Sequence, residues 1–262
     1  MEASTHYIFS INTGRSGSDY LANVFKHVSG CRSFHEPEPK GNGKEMRRYS
    51  RGQHTPMKKI AETKARLIKE LKRDCQVYFE SNHCFIKGFG WFLPQHLPED
   101  RMGVIILKRE SSKIAESLLR IGCSPLTPFG RRWVIAPDMK DPLVRPPKTM
   151  TVYQCAHFTK SILGACRYLV RKIFRMKFHD PQWLINYELD CLKWYVEETH
   201  AQAEAFKQKY PAIKYYEVNI EDLNSLASVQ QMLAFFGCKG KESLNQVVGK
   251  PTNLKESHTM PF

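Results

Sequence analysis

Apolar positions along the chain recur with two different periods. His6–Asn12 (HYIFSIN), Cys31–His35, Cys75–Glu80 (CQVYFE), Met102–Arg109 (MGVIILKR) and Ile213–Ile220 (IKYYEVNI) are short dense runs, rich in β-branched and aromatic residues, and predict five strands. Between them the spacing lengthens. Leu21, Val24, Phe25 and Val28 predict a helix over DYLANVFKHV, and residues 57–73 predict a strongly basic amphipathic one. SSKIAESLLRIG predicts a helix with Ser111 or Ser112 as N-cap and Gly122 as its stop. Two longer helices are expected at 151–177 and 182–209, the second with an apolar stripe at 185, 189, 192, 196, 199, 203 and 206. A last helix at 225–236 closes at Gly237, and a polar tail runs to Phe262.

Three segments carry no period. Residues 40–56 are polar, basic and glycine-bearing, and predict a mobile surface loop. SNHCFIKGFGWFLPQHLPED (81–100) reads as a turn-rich crossing. Residues 123–150 hold six prolines, which excludes long regular structure and predicts a loop or lid insertion. Strands alternating with helices predict an α/β fold in three layers: a mostly parallel central sheet flanked by helices, with a P-loop-like first strand, turn and helix. We read residues 1–262 as one domain. In such folds right-handed crossovers bring the chemistry to the carboxyl ends of the strands.

Composition narrows the class. With 42% apolar and 25% charged residues the chain has the balance of a globular protein, not a disordered or collagen-like one. A formal charge of +14 favours an anionic partner. The eight cysteines are scattered without a C-x-x-C or zinc-like spacing, so free thiols in a reducing compartment and no metal are expected. The start, MEASTHYIFSINTGR, lacks a basic stretch followed by an apolar block, and runs such as Val104–Leu107 are too short to span a bilayer. A cytoplasmic protein without a membrane span is expected.

The chemistry begins at Thr13-Gly14-Arg15-Ser16-Gly17-Ser18, between the first strand and the first helix. Glycines let successive N–H groups converge, and the helix N-terminus adds partial positive charge. Hydroxyls at Ser16 and Ser18 can donate to phosphate oxygens, and Arg15 supplies a fork of donors. The G-K-[ST] ending of a Walker A loop is missing, which weakens an ATPase or GTPase reading.

These residues resemble the sulfotransferases that use 3′-phosphoadenosine 5′-phosphosulfate (PAPS). Arg15-Ser16-Gly17-Ser18-Asp19-Tyr20-Leu21 fits their first signature, [KR]-x-G-[TS]-[TS]-x-L. The resemblance implies that this turn, Gly14 to Asp19, binds the cofactor, with Arg15 on the 5′-phosphosulfate. Their second signature is a buried strand ending in Arg, with a Ser eight residues on. ILKRESSKIAES supplies Arg109 and Ser117, which the resemblance assigns to the 3′-phosphate. The two turns would thus grip opposite ends of one nucleotide. IKYYEVNIEDL…MLAFFG is similar to the family's late strand, turn and helix. The sequence departs from the pattern at Asp19, where a hydroxyl is common and a carboxylate would compete for phosphate donors, and at Ile220, where many relatives carry a Tyr near the adenine. GKPTNLKE is a loose echo of the family's C-terminal basic segment, making Lys250 and Lys255 3′-phosphate candidates.

The activity so implied is in-line, metal-independent transfer of a sulfuryl group to a hydroxyl or amine of a small-molecule or carbohydrate acceptor. It needs a base with a pKa near neutrality. His83 in ESNHCF, Glu36 in FHEPEP and Glu80 all follow or end strands. His83 has the natural pKa and is placed like the base of the family's K-T-H segment. A His83–Glu36 pair is an open alternative, because adjacent parallel strands end close together. Lys87 is read either as an aid to the sulfuryl oxygens or as a surface residue, and the aromatics at 89, 91 and 92 as core or as acceptor pocket. Arg167, Arg171 and Arg175 fall on one helical face, solvated or guiding an anion. Two other functions stay open: a non-catalytic polyanion or nucleic-acid binder, against which stands the lack of any nucleic-acid-binding signature, and ATP-dependent phosphotransfer.

Overall fold

Each of the three central strands is apolar on both sides, as a strand sandwiched between helical layers must be. In the computed structural model, which describes residues 5–174 and 179–250, β1 (Tyr7–Ile11) leads into α1 (Ser18–Lys26) and β2 (Cys31–His35). Then come α2 (Lys44–Ser50), α3 (Thr55–Leu71), β3 (Val77–Ser81), β4 (Met102–Lys108) and α4 (Ser111–Arg120). The chain continues through α5 (Met150–Phe174), α6 (Gln182–Lys209), β5 (Lys214–Asn219) and α7 (Leu226–Phe235). The five strands form one parallel sheet in the order β2-β3-β1-β4-β5. Tyr7 pairs with Tyr78 on one side and Met102 on the other.

Alternation along β1 sends Phe9 and Ile11 to one face, against α3 and Phe206 of α6. It sends Ile8 to the other, against α1 and α7 through Leu21, Phe25 and Met232. The expected α/β architecture, a parallel sheet between helical layers, is what the structure has. Strand order reverses beside β1: the chain moves one way to β2 and β3, then crosses back to β4 and β5. That reversal opens a crevice above the carboxyl ends of β1 and β4, the place where open α/β sheets take ligands.

Several expectations are corrected. Residues 40–56 contain α2, a helix hidden in the sequence because one apolar side chain, Met46, is all it buries. Glu110, not Ser111 or Ser112, occupies the N-cap of α4, and no side chain caps it. Phe89 and Phe92 are core beneath α3, while Trp91, packed against the same cluster, is only partly buried and lines a cavity apart from the turn after β1. Helix α6 buries more than the expected stripe, adding Tyr187, Cys191, Tyr195 and Glu198, while positions 185 and 189 are only half-buried. It is covered twice, by α4 and by the proline-rich segment.

That segment, 123–150, is irregular apart from one short turn at Gly130–Arg132. It buries Val134 and Ile135 against α4 and α6, and Leu126 against α5 and α6. Gly43 N donates to Arg132 O, Lys140 N donates to Ser50 O, and Arg51 pairs with Asp138 at 2.8 Å, stitching the segment to α2. The arginine face expected at 167, 171 and 175 lies outside the described residues, apart from the helical backbone at 167 and 171. Among the described residues no helix is long and apolar enough to cross a membrane, and no three His, Cys, Asp or Glu side chains gather as a metal site. All eight cysteines are free.

Candidate functional site

The turn after β1 is built by local polar bonds and by backbone torsions that few residues tolerate. Asn12 anchors it: Gly14 N donates to Asn12 Oδ1 at 3.1 Å, and Asn12 Nδ2 donates to Ser10 Oγ. Gly14, Arg15 and Gly17 have φ of +73°, +55° and +96°. Left-handed residues in such succession curl the backbone so that N–H groups face one concavity. A Cβ at Gly17 would collide with the Ile220 side chain. Ile220, expected near the adenine, therefore also sets how closely the turn packs on β5. We expect Gly17→Ala to lower stability by about 2–4 kcal/mol, from left-handed strain plus overpacking. Urea unfolding checks this, and adding Ile220→Ala should recover only the steric part.

The concavity opens into a cavity of about 750 Å³, lined by Gly14, Arg15, Gly17, Ser18 and Asp19 of the turn. Arg109 reaches it from the end of β4, and Glu36 and His83 from β2 and the turn after β3. Lys250 also lines it. Lys255 lies outside the described residues. Ser16 does not line the cavity: it is fully buried under the turn, and its Oγ has no partner.

Arg15, Arg109 and Ser117 meet directly. Arg109 donates to the Arg15 carbonyl at 2.8 Å, and Arg15 Nε donates to Ser117 Oγ at 3.0 Å. Arg15 thus lies beside Arg109 and Ser117, the two residues the resemblance assigns to the 3′-phosphate. The left-handed torsion at Arg15 turns its side chain toward α4, so all three form one cationic corner. Arg109 Nε is buried there without a partner, and among the described residues neither arginine has a carboxylate partner.

Across the cavity His83 Nδ1 donates to Glu36 Oε1 at 2.5 Å. Glu36, with φ +49°, is fixed by its own N–H donating to Ser81 O. Burial alone would raise the Glu36 carboxyl, but the hydrogen bond and charge of His83, with the charges of His35 and Lys87, bring it down to about 2. Burial and the Lys87 ammonium push the His83 imidazole down. Cys84 and Glu36 pull it up, and the balance lies above its ordinary value. The ring stacks over Gly14, where a Cβ would meet it at 3.6 Å, and lies 5.5 Å from the Trp133 ring.

Glu80 is no base. Alternation along β3 points it away from the cavity, under α3, where Lys64 at 2.6 Å, Tyr78 and Asn82 all donate to it. Lys87 is neither a surface residue nor in the cavity. It is buried beneath the turn, donating to Trp133 O at 2.5 Å and Tyr195 OH at 2.9 Å, and burial lowers its pKa. Tyr195 in turn donates to Thr13 O at 2.6 Å. Tyr195→Phe should cost about 1–3 kcal/mol, since Thr13 and Lys87 each lose a buried partner; thermal unfolding measures it.

Sequence reasoning missed three residues. His35 sits between Ser18 (3.2 Å), Asp19 (3.7 Å) and Glu36 (3.9 Å), against the Asp19 carboxylate. Its place beside Glu36 at a strand end was a usable signal. Trp133 and Tyr195 offered none, lying in an aperiodic segment and within a long helix. Compared with known protein families and with curated proteins, the chain gives no match.

Proposed function

We propose that the protein transfers a sulfuryl group from PAPS to a hydroxyl or amine of a small-molecule or carbohydrate acceptor. One observation carries this reading: two arginines without a carboxylate partner among the described residues (Arg15, Arg109) and a histidine–carboxylate pair (His83, Glu36) line one cavity beside a left-handed turn, with Ser117 held behind Arg15. The unpartnered Arg109 Nε and the left-handed turn beside it suit a ligand with separate anionic groups.

Arg109 and Ser117 would hold the 3′-phosphate, with Lys250 at the rim. The backbone of the Gly14–Ser18 turn and the Ser18 hydroxyl would hold the 5′-phosphosulfate, which supplies the transferable group when bound. Arg15 is within reach of either end, and releasing Ser117 frees its Nε for the 5′ side. The turn N–H groups and Arg15 stabilise charge gathering on a leaving phosphate. Glu36 accepts from Nδ1 of His83, which orients the ring and leaves Nε2 to take the acceptor's proton. Trp133 walls the side of the ring where the acceptor would lie. Eight free thiols suit a reducing compartment such as the cytoplasm.

Calorimetry with 3′-phosphoadenosine 5′-phosphate, followed by an acceptor screen with labelled PAPS, tests the reading. Saturable binding that survives chelation of metal, and label transfer to at least one acceptor, are expected. Tighter binding of Mg²⁺–ATP, or affinity only for nucleic acid with a steep salt slope, would replace it.

A further inference from the structure

Among the described residues two lysines are buried, Lys64 and Lys87, and their surroundings differ. Lys64 has Glu80 at 2.6 Å as a counter-ion. Lys87 is 1% exposed and has no carboxylate within ion-pair distance among the described residues. Its Nζ donates instead to Trp133 O at 2.5 Å and Tyr195 OH at 2.9 Å. Taking an ammonium out of water without a paired anion is costly, and a methionine would fill the same space without that cost. What a methionine lacks is the donors and the charge.

The donors close a chain. Trp133 O, Lys87 Nζ, Tyr195 OH and Thr13 O are joined in that order, the last link at 2.6 Å. Its two ends, Trp133 and Thr13, line the cavity, while Lys87 and Tyr195 lie beneath it. The irregular segment that carries Trp133 is thus tied to the first residue of the left-handed turn. The charge of Lys87 reaches Glu36 and His83. Glu36 already accepts from His83 Nδ1, so one carboxylate answers two cations. Beside Glu36 alone an imidazolium would hold its proton firmly, and an ammonium beneath the same pair opposes it.

The other titratable groups around these three are accounted for. His35 lies 3.9 Å from Glu36. Burial would raise the Cys84 thiol, but His83 and Lys87 draw it down. Burial pushes Cys123 up to about 11 and Tyr195 well above its ordinary value, so both stay neutral. Trp133 and Gly14, against the His83 ring, carry no charge.

We propose that Lys87 is a positioning residue of this cavity: from beneath, it ties the wall at Trp133 to the turn at Thr13, and its charge keeps His83 free to accept a proton although Glu36 is bonded to it. As part of catalysis this role rests on the activity proposed above; as a control on how His83 titrates it does not.

Proton NMR of the histidine rings reads the titration, the His83→Ala spectrum identifying the signal. In Lys87→Met the His83 titration should move to higher pH. Turnover should fall about tenfold at neutral pH and recover at higher pH. Lys87→Gln removes the charge but keeps a donor; it should move His83 the same way, and it is the second variant in case the first unfolds. Melting temperatures report folding for both. Adding Glu36→Gln should bring the titration back toward lower pH. Cys84 also answers to Lys87, so the shift is read again with Cys84→Ala, where it should persist. Tyr195→Phe cuts the chain but keeps the charge. It should leave the His83 titration in place and quicken amide hydrogen exchange in the turn. A His83 titration unmoved in the Lys87 variants, or moved equally in Tyr195→Phe, would overturn the proposal, as would turn amides whose exchange is unchanged in Tyr195→Phe. A moved titration without label transfer to any acceptor would uphold the control of His83 and count against the sulfuryl-transfer reading alone.

Discussion

In the His83→Ala protein we expect turnover to fall about 10²–10⁴-fold, with affinity for 3′-phosphoadenosine 5′-phosphate little changed. His83 touches the turn only by stacking over Gly14, while its polar bond goes to Glu36. Removing it takes away a proton acceptor and no ligand donor. Glu36→Gln should cut turnover less, because the amide oxygen still accepts from Nδ1 and keeps the ring in place but no longer offsets the charge of the imidazolium. The pH profile tests the same pair. Cys84 and Glu36 hold His83 above its ordinary value against burial and Lys87, so it sheds its proton above its ordinary pKa, and turnover should climb with pH through that raised value. The stability signs follow. The His83 contribution is complete below the unfolded value near 6.5 and is lost as pH rises through the folded value. The Glu36 contribution is complete above the unfolded value near 4.5 and is lost as pH falls toward about 2. Turnover retained in His83→Ala would transfer the base role to Glu36.

The Arg109→Ala protein should bind 3′-phosphoadenosine 5′-phosphate roughly 100-fold more weakly, the worth of a charge-assisted contact to phosphate. Its affinity for adenosine 5′-phosphate should also fall, but by about tenfold less. Arg109 holds the Arg15 carbonyl at 2.8 Å, so its loss loosens the turn for any ligand, while only the 3′-phosphate loses a direct partner. Calorimetry with both nucleotides reads the difference. Equal losses would mean that Arg109 supports the turn and nothing more. Arg109→Lys should restore part of the charge but not the forked geometry.

The strands and most helices were legible because burial on both faces of a parallel sheet writes dense apolar runs, and helices docked on one face write a three-to-four spacing. β2 has the predicted bounds, and β1, β4 and β5 fall within theirs. Helix α2 was not legible, since one buried methionine leaves no period to read. Arg109 and Ser117 could be placed on a strand end and a helix from their spacing alone, but not the fact that Arg15 bends over to join them. The role of Glu80 was equally hidden. Its identity at a strand end suggested a base, and only the parity of β3, with Lys64 waiting on the far side, made it structural.

By itself the sequence determined the parallel α/β architecture, the glycine-bearing turn after β1 and the short set of polar residues following the strands, because these depend on local backbone preference and on periodic burial. Tertiary structure alone decided which of those residues meet. The reversal of strand order beside β1 brings the turns after β1 and β4 to one crevice, and the parallel pairing of β2 with β3 sets Glu36 against His83, 47 positions apart. The burial of Lys87 and Tyr195 beneath that crevice was likewise decided there. Contacts between side chains far apart in the chain are selected by the packing of whole layers, and no local pattern of residues encodes that packing.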